Sequence, residues 1–248
     1  MLRISPINNT PNFKSNQRLV CNNKGQVVYQ NTTVFFRDDI DWRTFVNMLK
    51  ARFKNAEKVN VFSLACSDGS EPWTLAVLLK EILGDESEKF FPIYASDIDS
   101  EIIRRAQHEP CTVTPCDIKL LRRCTKDNFD KYFEYTEAKY KDFAFNEGAV
   151  RPTEHMKSLV NFKTSDITKE IKNIPPENSV VLCRNCWSYF PFHKRYEIAQ
   201  TLKNQLKGNS IVVLGGLENA FNHDGILRDN GFRQTWLENV FEKDNYGY

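Results

Sequence analysis

A short apolar run breaks into small residues and restarts as a helix in Val61-Phe-Ser-Leu-Ala-Cys-Ser-Asp-Gly-Ser-Glu-Pro-Trp73. A strand of this kind delivers a turn to the edge of a sheet, where Gly69 permits backbone geometry that a side chain would resist. The N–H groups that open the next helix then face whatever binds there. The turn is neither a G-x-x-x-x-G-K loop nor a G-x-G-x-x-G, so it implies no bound polyphosphate and disfavours a dehydrogenase. Glu71 stands near the helix start where a phosphate site would carry Lys, which suits a positively charged ligand. S-adenosylmethionine, with its sulfonium and amino groups, meets that requirement.

Other polar residues fall at the carboxyl ends of predicted strands, where open α/β sheets bind ligands. Asp97 follows the run Phe91–Ser96 and could accept hydrogen bonds from ribose hydroxyls. It could equally cap the next helix, a task open also to Asp99 or Ser100. Asp166 follows a third run and either meets an adenine or caps a helix at Thr168. Arg184 and Asn185 follow a fourth run, and Arg at a buried strand end is seldom a packing choice. Before the sheet, Phe35 and Phe36 are expected to anchor a segment that leaves Thr33 and Arg37 pointing elsewhere. The alternative there is a surface strand whose Arg37 pairs with Asp38 or Asp39, worth about 0–1 kcal/mol.

Two further patterns are assigned no chemistry. Cys183-Arg-Asn-Cys186 is formally a C-x-x-C, but it has no second copy, and Cys183 ends the apolar run Val180–Leu182 as a small hydrophobe would. The four histidines, His108, His155, His193 and His223, show no metal-ligand spacing.

The elements that must position these residues alternate strand with helix. Strand-like runs at 59–64, 91–96, 159–164, 180–183 and 210–214 are separated by helical patterns near 71–83, 100–107 and 194–206. Such alternation implies a mainly parallel sheet with helices on both faces. Trp42, Phe45, Val46, Leu49 and Phe53 give one apolar helical face ahead of the sheet. A short helix at 224–230 precedes two expected edge strands, 231–236 and 237–241. Residues 18–30 read as a hairpin around Asn22–Gly25, after a polar leader over 1–17. Residues 109–157 break the rhythm with a charged helical stretch and an aromatic cluster from Phe129 to Phe145, and are expected to cap the site side of the sheet.

Composition narrows the class. The 248 residues, 41% hydrophobic with 12% aromatics, suffice for a sizeable core. A net charge of +2 gives no electrostatic case for nucleic acid or an anionic membrane. No apolar run approaches the roughly 20 residues that span a bilayer. Seven scattered cysteines do not form a secreted disulfide framework, so a cytoplasmic protein is the default.

Five motifs stand in one order: Thr33-x-x-Phe-Arg37, Ala65-Cys-Ser-Asp-Gly-Ser-Glu-Pro72, Ala95-Ser-Asp-Ile-Asp99, Cys183-Arg-Asn-x-x-x-Tyr-Phe190 and Gly215-Gly-Leu-Glu-Asn219. Together they resemble the CheR-type chemoreceptor glutamate methyltransferases, which transfer the methyl group of S-adenosylmethionine to receptor carboxylates. The resemblance runs from about residue 31 to residue 241. It implies a Rossmann-like class I methyltransferase fold, a mainly parallel doubly wound sheet with an inserted helical segment. The implied domain covers 31–248, with the insertion at 109–157 and a polar leader at 1–30.

By the same resemblance, Asn31, Thr33, Arg37, Glu71, Asp97, Arg184 and Asn185 contact the cofactor. Asp166 and Ile167 stand where the family usually has Asn-Leu, and Tyr189 matches the tyrosine near the methyl group. Arg37 and Tyr189 would orient the substrate carboxylate, and the product would be S-adenosylhomocysteine. The implied partner is the cytoplasmic part of a methyl-accepting receptor protein, met by a monomer that neither enters the membrane nor binds nucleic acid. Other readings keep the cofactor with another protein or a small-molecule acceptor, or make the chain a non-catalytic cofactor-binding signalling module. The sequence departs from the family in three places: the helical N-terminal domain is replaced by the polar leader, the acidic pair before Pro72 is Ser70-Glu71, and position 166 is Asp.

Overall fold

The computed structural model describes residues 19–21, 27–29, 33–136 and 148–244. The leader 1–17, the expected turn at Asn22–Gly25, Asn31 and the Phe145 end of the aromatic cluster lie outside the described residues. Strands β1 (Leu19–Cys21) and β2 (Val27–Tyr29) flank that turn and pair antiparallel.

The chain then forms β3 (Asn60–Leu64) and β4 (Ile93–Asp97). It leaves the main sheet for β5 (Cys111–Val113), β6 (Phe133–Thr136) and β7 (Gly148–Pro152). It returns as β8 (Val160–Thr164), β9 (Ser179–Leu182), β10 (Ile211–Val213), β11 (Phe232–Gln234) and β12 (Val240–Lys243). The main sheet has the order β11-β12-β10-β9-β3-β4-β8. Its pairs are parallel except at β12, which runs antiparallel to both β10 and β11.

Alternation along the strands sends side chains into two cores. Val61, Ile93, Val180 and Leu182 face one layer with Phe45, Leu49, Trp73 and Leu79, from helices 42–52 and 70–83. Phe62, Leu64, Val181 and Val212 face the other, with Ile198, Ala199 and Leu202 of the helix Phe192–Gln205. Strands buried on both faces read as continuous apolar runs, which is why they stand out in the sequence. Parallel strands covered by helices on both faces make this a doubly wound, Rossmann-like arrangement.

Two expectations need correction. Residues 109–157 are not simply helical: β5, β7 and β6 form their own three-stranded antiparallel sheet beside the helix Pro115–Thr125. At Gly148 a Cβ would lie 2.4 Å from the Tyr135 hydroxyl, so the Tyr135 ring rests over a bare stretch of β7. Of the two expected edge strands only β11 is an edge, because β12 inserts between it and β10.

Candidate cofactor site at the carboxyl rim of the sheet

Because β8, β4, β3, β9 and β10 are parallel, their carboxyl ends share one rim. From β3 the chain steps outward to β4 and β8, then crosses back to lay β9 and β10 on the other side of β3, which makes the β3–β9 junction the switch point where such sheets bind ligands. Gly69 turns the chain there with φ 90°, and a Cβ would meet the Phe162 ring and the Trp73 indole nitrogen at 2.9 Å. Asp68 accepts from the Ser70 N–H at 3.0 Å and its hydroxyl at 2.7 Å, which settles the start of the helix Ser70–Leu83. Pro72 lies in its first turn, where a missing N–H costs nothing.

Glu71, in that first turn, reaches across the switch point. One carboxylate oxygen accepts from the Ser63 hydroxyl at 2.7 Å, and the other pairs with the Arg184 guanidinium at 2.8 Å. The Arg184 side chain is 2% exposed, lies 4.7 Å from the Trp42 ring centre, and forms a second ion pair with Asp39. Asp39 also accepts from Asn185 Nδ2 at 2.6 Å and from the Gly216 N–H at 3.0 Å. Asn185 Oδ1 in turn accepts from the Leu217 N–H at 3.1 Å. Beneath them Glu218, fully buried, receives the N–H groups of Asn185, Trp187 and Gly215 at 2.8–2.9 Å. Burial pushes its carboxyl above the usual range, and those three donors pull it back.

Asp97, at the end of β4, is 3% exposed and accepts from the backbone N–H groups of Ser67 and Asp99, each at 3.0 Å. Desolvation raises its carboxyl, and the two N–H groups oppose the shift. The next helix is capped by Asp99, which accepts from Glu101 and Ile102, so Asp97 is not needed as its cap. Asp166 follows β8 and is held near Asp97 by the Ser165 N–H to the Asp97 carbonyl at 2.8 Å. Its Oδ1 caps the short helix at Thr168. Ile167 turns its side chain into the second core, which leaves its backbone at the rim.

Phe35 is buried as expected, but its segment is a turn and not a strand. Phe36, at φ 50°, gives its N–H to the Thr74 hydroxyl at 3.2 Å, and the Arg37 carbonyl accepts from the Trp42 indole at 3.0 Å. Those contacts tie the turn to both helices, Ser70–Leu83 through Phe36 and Trp42–Arg52 through Arg37, with Thr33 and Arg37 half-buried. Tyr189 is half-buried in the 3-10 turn Trp187–Tyr189 and packs on the second core. Cys183 and Cys186 are buried with sulfurs 3.5 Å apart, and the Trp187 indole donates to Cys183 at 3.0 Å. Their hydrogen bond and burial push the Cys186 thiol up, away from thiolate chemistry.

Two rim residues have no role that the sequence makes legible. Asp39 enters it only as a surface partner of Arg37, and its actual partner lies 145 residues away. Glu218 sits inside the Gly215–Asn219 motif, whose order is the only available signal.

The rim fits S-adenosylmethionine. Two carboxylates around one guanidinium leave a negative surplus for a cationic ligand, and Asp97 offers an acceptor suited to hydroxyls. Among the described residues, buried polar atoms without a partner at this rim include Ser67 Oγ, Ser96 Oγ, Arg184 Nε and the Trp73 indole nitrogen beside Gly69. Four non-glycine residues there, Phe36, Ala65, Ser67 and Asn185, hold φ of 50–57°, the kind of strain that concentrates at functional sites.

Fold and rim together define a Rossmann-like class I methyltransferase domain. Residues 31–234 match the family model for the CheR methyltransferase, SAM binding domain, and the chain belongs to that family. It is 26% identical over 198 residues to the chemotaxis protein methyltransferase of Escherichia coli K12, covering 78% of this chain and 62% of that one. It is 24% identical over 204 residues to chemotaxis protein methyltransferase 2 of Pseudomonas aeruginosa, covering 81% of this chain and 68% of that one. The chain thus spans under two thirds of the length of the E. coli relative. A solved magnesium protoporphyrin IX methyltransferase from Synechocystis with bound SAM aligns at 15% identity and TM-score 0.38, over 81% of this chain and 76% of that one.

Proposed function

We propose that this chain transfers the methyl group of S-adenosylmethionine to a carboxylate, the side chain of glutamate in the cytoplasmic part of a chemotaxis receptor. The observation that carries the reading is the convergence of the Glu71–Arg184 pair and buried Asp97 on one rim, within the residues matched by the family. When bound, the cofactor supplies a methyl group made electrophilic by its sulfonium.

In this reading residues 31–248 form the catalytic unit. Glu71 and Asp97 hold the cofactor's ammonium and ribose, and charge-assisted hydrogen bonds of this type are the strong ones. Asn31, Thr33, Arg184 and Asn185 complete its surroundings, while Asp166 and the Ile167 backbone face the adenine. Arg37 and Tyr189 orient the incoming carboxylate. A glutamate is already ionised at neutral pH, so the site needs no general base, and alignment with exclusion of water carries the rate. The protein works in the cytoplasm as a monomer. Among the described residues no helix is long and apolar enough to cross a membrane.

The test is transfer of labelled methyl to receptor-bearing membranes, followed by alkaline release of volatile methanol. Base-labile label is expected from the wild type, with a steep loss in Tyr189→Phe at unchanged S-adenosylhomocysteine affinity and a steep loss in Arg37→Ala that includes weaker cofactor binding. Base-stable label would move the acceptor to nitrogen, and no label on any receptor would leave a cofactor-binding module.

A further inference from the structure

Arg184 needs one carboxylate to balance its charge and has two. Glu71 supplies one from the first turn of helix 70–83, and Asp39 supplies the other from the turn ahead of helix 42–52. Asp39 is built into place: its carbonyl accepts from Asn239 Nδ2 at 2.9 Å, and its carboxylate holds Asn185 and the Gly216 N–H. Gly215 and Gly216 make the room for this. A Cβ on Gly215 would lie 2.4 Å from the Asn185 side chain, and one on Gly216 would lie 3.0 Å from Asp39 Cβ. Asp39 therefore joins four separate segments while adding a negative charge that ion pairing with Arg184 does not require. Its side chain and that of Glu71 are each 13% exposed, so water screens that surplus only in part.

We propose that Asp39 is a positioning residue that sets the charge of the rim, so that it favours the cationic methyl donor over its neutral thioether product. The proposal rests on the cofactor reading above. S-adenosylmethionine and S-adenosylhomocysteine share adenosine, ammonium and carboxylate, and differ in one methyl group and the positive charge on sulfur. Contacts common to both cancel in the ratio of their affinities, and the charge of Arg37, present in every variant, cancels when those ratios are compared between variants. What remains reports the field at sulfur. A surplus carboxylate raises the relative affinity for the donor and helps the spent product leave.

Calorimetry on the full chain with each ligand separately tests this in wild type, Asp39→Asn and Asp38→Asn. Asp39→Asn is expected to lower the donor-to-product affinity ratio roughly tenfold, as loss of one poorly screened charge would. Asp38, on the exposed side of the same turn, is the control, and its neutralisation is expected to leave the ratio within about twofold. Asp39→Glu should restore the ratio, and Asp39→Ser should repeat the loss if the amide disturbs Asn185. Equal weakening of both ligands in Asp39→Asn would overturn the proposal and reduce Asp39 to a brace. Absence of product binding in the wild type would instead remove the cofactor reading, and the proposal with it.

Discussion

The two halves of the rim are built on opposite terms. Around β9 and β10, charges are met by charges and by backbone: Arg184 by Asp39 and Glu71, and Glu218 by three N–H groups. Around β4 and the turn after β3, Asp97 is buried against two N–H groups, while the nearby hydroxyls of Ser67 and Ser96 have no partner. The first half is organised mainly by its own contacts before any ligand arrives, with the Nε of Arg184 left over. The second holds polar capacity that only a ligand or water would use. Mutations should therefore cost stability in the first half and affinity in the second.

The largest effect is expected at Arg184. Replacing it by Leu leaves Asp39 and Glu71 as adjacent, mostly buried carboxylates with nothing between them. Breaking a buried pair in this way costs about 3–5 kcal/mol, because the orphaned charge is worse than no pair at all. Urea titration should show that loss, together with lost binding of S-adenosylhomocysteine. A loss below about 1 kcal/mol, the value of an exposed pair, would mean that the cluster is solvated and the contrast between the halves is false.

Glu218→Gln comes next. A carboxylate accepts all three N–H groups, whereas an amide has one accepting oxygen and turns its own donors toward the remainder. At least one buried N–H is left without a partner, at about 1–3 kcal/mol. The loop carrying Arg184 and Asn185 should loosen with it, visible as faster amide exchange at Asn185 and Trp187. Unchanged exchange would show that Asp39 alone fixes the loop.

How much of this rim is legible in the sequence follows from the same physics. Glu71, Asp97 and Arg184 can be placed because apolar strands announce themselves, and whatever follows a parallel strand must lie at its carboxyl rim. Asp39 follows no strand. It sits in a turn with Phe36 at φ 50°, and its partners come from three distant segments that no local pattern connects. The insertion misleads for another reason. Its strands are only three to five residues long, and exposed Thr112, Glu134 and Tyr135 dilute their apolar pattern. The placement of the Tyr135 ring over Gly148 is invisible until both strands are paired. Asp166 carries two readings in the sequence, and the structure realises the cap while leaving its second oxygen at the rim.

The smallest stability effect, and the most diagnostic, belongs to Asp97→Asn. At pH 7 the wild type holds a desolvated carboxylate, which the neutral amide does not, while the amide loses one of the two accepted N–H bonds. These changes oppose each other and leave little net difference. Their pH dependence does not cancel. Burial raises the Asp97 carboxyl in the folded chain above its unfolded value, so between those two values the folded state binds more protons. The Asp97 contribution therefore falls as pH rises through that window, and the deficit persists at pH 7. The amide of the variant does not titrate. On lowering the pH from 7 toward 4, the wild type should gain in thermal midpoint relative to the variant. A relative loss instead would show that the Ser67 and Asp99 donors outweigh desolvation, making this half of the rim as self-satisfied as the other. At pH 7 the variant should still bind S-adenosylhomocysteine about 2 kcal/mol more weakly, the worth of a charged hydrogen bond to the ligand. Weak binding with near-native stability is what separates a residue held for a ligand from one held for the fold.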